Sequence, residues 1–130
     1  MADERVADTA ALLAAGRFQA AYYLCGYAVE FALKACIARQ FREFDFPDRK
    51  VVNDSYVHDL TKLLNVSRLA QLHRDEADRN ESFAANWGIV QAWSEASRYN
   101  AAITEDAATV LFRAVSDPTS GVLAWLKTYY

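Results

Sequence analysis

A chain of 130 residues, 53% of them hydrophobic, is one domain with room for a single core. A net charge of −3 and a pI near 5.3 exclude nucleic-acid binding through a broadly basic surface, though not through a local basic cleft. Two prolines and four glycines are too few for a turn-rich β fold and point to helix.

Asp3 is placed to cap a first helix running to about Ala15, with Val6, Leu12 and Leu13 toward the core and Gly16 ending it. Phe18 to about Phe41 then read as one long helix, apolar on nearly every side yet carrying Glu30 and Lys34 one turn apart. A helix greasy all round is the centre of a bundle or a membrane span. Its longest charge-free stretch, Phe18 to Val29, is twelve residues, against the roughly 20 that a span needs. The expectation is the core helix of a soluble domain, with no membrane.

Residues 42–55 hold turn chemistry in Phe46-Pro47-Asp48 and Asn53-Asp54-Ser55 and read as the one long loop. Arg39, Arg42, Arg49 and Lys50 cluster around it, with Glu43, Asp45 and Asp48 interspersed. That composition suits a solvated mixed loop, the alternative being a phosphate site. Ser55 is expected to cap a short helix through Leu64, and Ser67 another to about Asp78 with Leu69 and Leu72 on one side. Asn80 opens a helix from Glu81 to about Ala96 that buries Phe83, Trp87, Val90 and Trp93. Thr104, followed by Glu105 and Asp106, is a hydroxyl cap with two carboxylates at the positive end of the helix dipole. That helix runs to about Val115 through Val110, Leu111 and Phe112. Asp117-Pro118 signals a further start, a cap followed by proline at the first helical position, and the last helix carries Leu123, Trp125 and Leu126 before Tyr129 and Tyr130. With no strand, repeat or dividing linker, the expected fold is an all-α up-and-down helical bundle with short additional helices, a single domain over 1–130.

Little of the usual site chemistry is present. The two histidines and two cysteines show no ligand spacing, so no metal is expected, and no glycine-rich phosphate loop or nucleophilic serine motif implies a cofactor. On a helix Cys25 and Cys36 lie about 16 Å apart along the axis, beyond disulfide reach, and read as buried thiols. The opening MADERVADTA carries charges where a targeting segment would be apolar, which suggests a cytoplasmic protein.

The order Gly16-Arg17-Phe18, Ala20-Ala21-Tyr22-Tyr23, Gly26-Tyr27-Ala28-Val29-Glu30 and Ala32-Leu33-Lys34-Ala35 resembles the second helix of HEPN-domain proteins, the higher eukaryotes and prokaryotes nucleotide-binding family. Later segments agree in order: His58-Asp59-Leu60 before Leu63-Leu64, Trp87 to Trp93 leading to Glu95 and Arg98-Tyr99, and the closing Gly121 to Lys127. The resemblance covers about residues 8–127. It implies a helical protein, a homodimer, a toxin–antitoxin or defence context, and often a small nucleotidyltransferase partner. RNA-cleaving members resemble one another in an arginine followed four to six residues later by histidine, a proton shuttle beside a cation that holds phosphate. Here the matching arginine is Arg98, and Ile103, Thr104 and Glu105 stand where histidine should. Arg68 to His73 also has the spacing, but it lies among Arg74, Asp75, Glu76, Asp78 and Arg79 on what reads as an exposed surface. Helical residues five apart also point about 140° from each other.

Three readings of function follow. The leading one is a HEPN-like member without intact ribonuclease chemistry, acting by binding a partner such as a nucleotidyltransferase, or a nucleotide or RNA. Trp87, Trp93, Tyr99 and Arg98 suit either base stacking with a held phosphate or a helix-packing core beside a dimer interface. The second is an active endoribonuclease with Arg98, Tyr99 and Asn100 near a composite dimer site and His58 supplied from elsewhere in the fold. His58 next to Asp59 reads otherwise as a capping or packing histidine, hydrogen-bonded across to the long helix. The third is a small-molecule or nucleotide-binding module centred on Glu30 and Lys34, with hydroxyls from Tyr22, Tyr23 and Tyr27; the pair reads otherwise as buried structure.

Overall fold

The computed structural model describes residues 1–43, 49–100 and 102–130, with the side chains of residues 41–43 and 51 outside that description. Eight α-helices are present among the described residues, and no strand. The helices are α1 (Ala2–Ala14), α2 (Phe18–Glu43), α3 (Arg49–Asp54), α4 (Leu60–Val66), α5 (Ala70–Arg79), α6 (Glu81–Gln91), α7 (Glu105–Ser116) and α8 (Val122–Leu126). A 3₁₀ segment, Glu95–Tyr99, lies between α6 and α7, and another, Lys127–Tyr129, follows α8. The all-α bundle is as the composition implies. The Phe46-Pro47-Asp48 turn, Asp45, and the side chains of Arg42 and Glu43 lie outside the described residues.

α2 is the axis of the molecule. Ala21, Cys25, Ala28, Val29, Ala32, Leu33, Cys36 and Ile37 are all buried, because α1, α4, α7, α8 and the Glu95–Tyr99 segment pack around it. Glu30, 1% exposed, is buried with them. No helix among the described residues is long and apolar enough to cross a membrane. The chain enters α2 through a tight reversal. Gly16 adopts φ +74°, its amide bonds to the Leu13 carbonyl at 3.1 Å, and the Arg17 amide bonds to the Leu12 carbonyl at 2.9 Å. That is the paired closure of a helix ended by a left-handed residue, a conformation glycine adopts without steric cost.

Several boundaries differ from the sequence expectation for local reasons. Asp3 does not cap α1; it sits in the first turn and pairs with Lys127 across the termini. Of the expected long loop, the described residues are mostly helical, since α2 continues to Glu43 and α3 spans Arg49–Asp54. Ser55 does not cap α4: its hydroxyl donates to the Val52 carbonyl at the end of α3, and Asp59 accepts the Lys62 amide instead at 2.9 Å. Ser67 closes α4 rather than opening α5, donating to the Leu64 carbonyl. Arg68 then takes a left-handed φ of 62° to turn the chain. Leu69 just before α5, and His73 and Ala77 within it, form the inward stripe, so Leu72 stays 44% exposed. α6 stops at Gln91, short of Ala96. Asp117 caps a turn, accepting the Thr119 and Ser120 amides, and Gly121 rather than Pro118 precedes α8. Asn80 and Thr104 cap as expected, accepting the Phe83 and Ala107 amides, each at 3.1 Å.

Candidate functional site

The polar residues of the central helix lead outward to a connected charged cluster. Glu30 Oε1 accepts from Lys34 Nζ at 2.8 Å and stands 2.7 Å from His58 Nδ1. Lys34 lies one turn further along α2, and His58 reaches in from the segment just before α4, held by Asp59 at that helix's N-terminus. The other imidazole nitrogen, Nε2, lies 3.2 Å from Glu95 Oε2, and the second oxygen of Glu95 lies 3.6 Å from an Arg98 guanidinium nitrogen. The order is therefore Lys34, Glu30, His58, Glu95, Arg98. From the buried carboxylate of Glu30 it runs outward to a guanidinium whose side chain is 44% exposed. Glu30 Oε2 is buried without a hydrogen-bond partner, so both of that carboxylate's bonds converge on one oxygen.

The short segment that follows α6 places the outer half of this cluster. Ser94 accepts the Ala96 amide and starts the 3₁₀ turn, whose three-residue repeat puts Glu95 and Arg98 on one side. Gln19, from the first turn of α2, donates to the Arg98 carbonyl and ties the segment down. The Arg98 guanidinium sits 4.6 Å from the centre of the Tyr99 ring and donates to its hydroxyl. The hydrogen bonds it donates to Tyr23 and Tyr99 hold its pKa above the ordinary arginine value. Tyr99 itself is 74% exposed, so an aromatic face carrying a cation opens to solvent.

Trp93 forms the floor. Its indole lies directly on Gly26, where an added Cβ would sit 2.0 Å from the ring. It also packs against Tyr23 and, edge-on, against Tyr27. Tyr27 meets His58 with ring centroids 6.0 Å apart. Burial, a hydrogen bond with Tyr23 and the negative charge of Glu30 push the Tyr27 phenol well up, leaving it a neutral donor. Beside these residues a cavity of about 350 Å³ is lined by His58, Asp59, Thr61, Trp93, Ser94 and Glu95, among others. The cavity touches both the histidine and the carboxylate that links it to Arg98.

The residues singled out in the sequence thus divide. Glu30, Lys34, His58, Arg98, Tyr99 and Trp93 come together around this cluster. Trp87 makes its ring contact elsewhere, with His73 at 4.6 Å. Asn100 uses its side-chain oxygen locally, accepting the Ala102 amide at 3.0 Å. Of the positions where a histidine would complete the arginine motif, Thr104 is bound up in its cap and Glu105 lies in the first turn of α7. His73 is not on an exposed charged surface as expected. It packs against Phe83, Trp87 and Trp125, because α5 and α6 lie side by side. Glu95, quoted in the sequence only for its place in the resemblance, is not among the candidate site residues read there. Its place three residues before Arg98 carries meaning for the site only once that stretch is known to be a tight turn of helix.

Both cysteines are free and buried, and burial raises their thiols to about 12 for Cys25 and about 11 for Cys36, which leaves them unreactive near neutral pH. Among the described residues no group of three or more His, Cys, Asp or Glu side chains is arranged to hold a metal ion. No protein-family model, curated protein or solved structure matches this chain.

Proposed function

We propose that this chain is a HEPN-like helical domain that works by binding, holding the phosphate of a nucleotide or RNA at Arg98 and stacking a base on Tyr99. One observation carries the reading: a half-exposed guanidinium lies over an exposed aromatic ring, and Glu95, which pairs with that guanidinium, lines the neighbouring cavity. Stacking on an aromatic face contributes roughly 1–3 kcal/mol per base and tolerates any sequence. Arginine supplies several donors to a phosphate at once. The acidic balance of the whole chain disfavours extended contact with nucleic acid, so the ligand is a short segment or single nucleotide engaged at one place.

A second reading, a ribonuclease with a rebuilt active site, is favoured by the placement of His58, whose Nε2 is one carboxylate away from Arg98. Against it, both ring nitrogens already face carboxylates, which leaves the imidazole no free position for a substrate hydroxyl. The two readings separate in one experiment: wild type, Arg98→Ala and His58→Ala are assayed for both binding and cleavage of single-stranded and structured RNA. Binding lost in Arg98→Ala, with no cleavage by wild type, is the expected result. Cleavage by wild type that vanishes in both variants overturns it in favour of the nuclease.

Assembly is part of the same proposal. Beside Tyr99, a second copy of this chain or a small nucleotidyltransferase in a toxin–antitoxin or defence pair would find the kind of aromatic and arginine surface that interfaces take up. A monomer by light scattering at micromolar concentration contradicts the homodimer.

A further inference from the structure

We infer that anion binding at Arg98 is coupled to protonation of His58, so that the site takes a phosphodiester best when the imidazole carries its second proton. The inference rests on the reading of Arg98 as a phosphate-binding residue. The groups that face His58 come from each element packed against it. α2 contributes Glu30, Lys34 and Tyr27, and the 3₁₀ segment contributes Glu95 and, through it, Arg98. Asp59 is the neighbouring residue, engaged with the Lys62 amide of α4, and Lys62 is exposed. Within the chain from Lys34 to Arg98, two carboxylates are matched by two permanent cations. His58 is therefore the member whose proton decides whether the cluster is neutral or carries one positive charge, and histidine changes charge between about pH 5 and pH 8.

The geometry also gives the coupling a path. Glu30, buried and anchored by Lys34, takes the proton on Nδ1, which fixes the neutral imidazole with its lone pair on Nε2. That lone pair then faces Glu95 Oε2 at 3.2 Å, acceptor against acceptor, and the carboxylate is driven toward Arg98, where it competes with any incoming anion. Once Nε2 is protonated it donates to Glu95. The carboxylate is held on the histidine side, and the guanidinium is left for phosphate. By linkage, a bound anion must in turn raise the affinity of His58 for its proton.

The test uses hexauridylate without a terminal phosphate, because its phosphodiesters keep one negative charge each across the range. Its affinity for wild type, His58→Gln and Arg98→Ala is measured by fluorescence anisotropy from about pH 5.5 to about pH 8 at constant ionic strength. Wild type is expected to lose about tenfold in affinity over that range relative to His58→Gln. Equal pH dependence in those two proteins, with binding still lost in Arg98→Ala, overturns the coupling and leaves the phosphate reading standing. Binding that is absent, or indifferent to Arg98→Ala at every pH, overturns the phosphate reading and the coupling with it. Should His58→Gln fail to fold, the imidazole resonances of wild type decide: the His58 midpoint moves to higher pH when hexauridylate is bound, and an unmoved midpoint overturns the inference.

Discussion

His58 meets a carboxylate at each ring nitrogen and borders a cavity, whereas His73 meets Phe83, Trp87 and Trp125 and has its Nε2 buried without a partner. These are the two histidines of the chain, and their surroundings divide the molecule by role. Around His73, burial and the nearby Arg74 charge hold the imidazole below its ordinary pKa, and the ring serves as an aromatic wedge between α5, α6 and α8. Around His58 the partners are Glu30, Glu95 and the Tyr27 ring, and the last member of the cluster, Arg98, reaches water. An apolar setting uses a histidine for its shape; a charged one uses its proton. In this fold the first belongs to stability, and the proposed function assigns the second to binding.

That division can be broken by mutation. The largest effect is expected from Trp87→Ala, which empties the centre of the aromatic region and should cost about 3–5 kcal/mol in urea unfolding. Where the variant is still folded, hexauridylate binding should be unchanged; a selective loss of binding would mean that the two regions are not separate. Glu30→Ala should cost about 3 kcal/mol, the low end of the range for breaking a buried ion pair, because Lys34 and His58 can both turn to water once it is gone. This variant should also weaken binding, since His58 loses the group that sets its tautomer. If it melts like wild type, the buried anchor is not one. Gly26→Ala drives a methyl into the Trp93 indole and should cost about 1–3 kcal/mol by thermal melting, with the Tyr27 and His58 side of the site displaced along with the ring.

The smallest effect concerns pH. Because His73 is held below its ordinary pKa in the folded state, its contribution to stability is fully present above the unfolded value of about 6.5 and is lost as pH falls through the folded one. Thermal melts of wild type should therefore decline between about pH 7 and about pH 5 more than those of His73→Phe, which has no proton to take up. Parallel declines in the two proteins would show that acid acts elsewhere.

Features set within one turn of helix were legible in the sequence. Gly16, Asn80 and Thr104 each close or open a helix by their own backbone freedom or side-chain oxygen, and each does so in the structure. Ser55, Ser67 and Asp117 misled because a hydroxyl or carboxylate serves a helix end, a helix start or a turn equally well, and tertiary packing chooses among them. Trp87 and Trp93 look alike in sequence, but α6 ends between them, and the chain carries one into the aromatic region and the other onto Gly26. The bond from His58 to the long helix was an expectation and is present; its second bond, to Glu95, was not. That contact joins segments distant along the chain through a short 3₁₀ turn, and no local periodicity announces it.

The most direct test of the division between the two histidines is a titration of the ¹⁵N-labelled protein with hexauridylate, followed by backbone amide and imidazole resonances together. Shifts confined to Glu95, Arg98, Tyr99 and the His58 ring, with His73 and Trp87 unmoved, are what this account predicts. Shifts centred on His73 and Trp87, or none at saturating ligand, would contradict it.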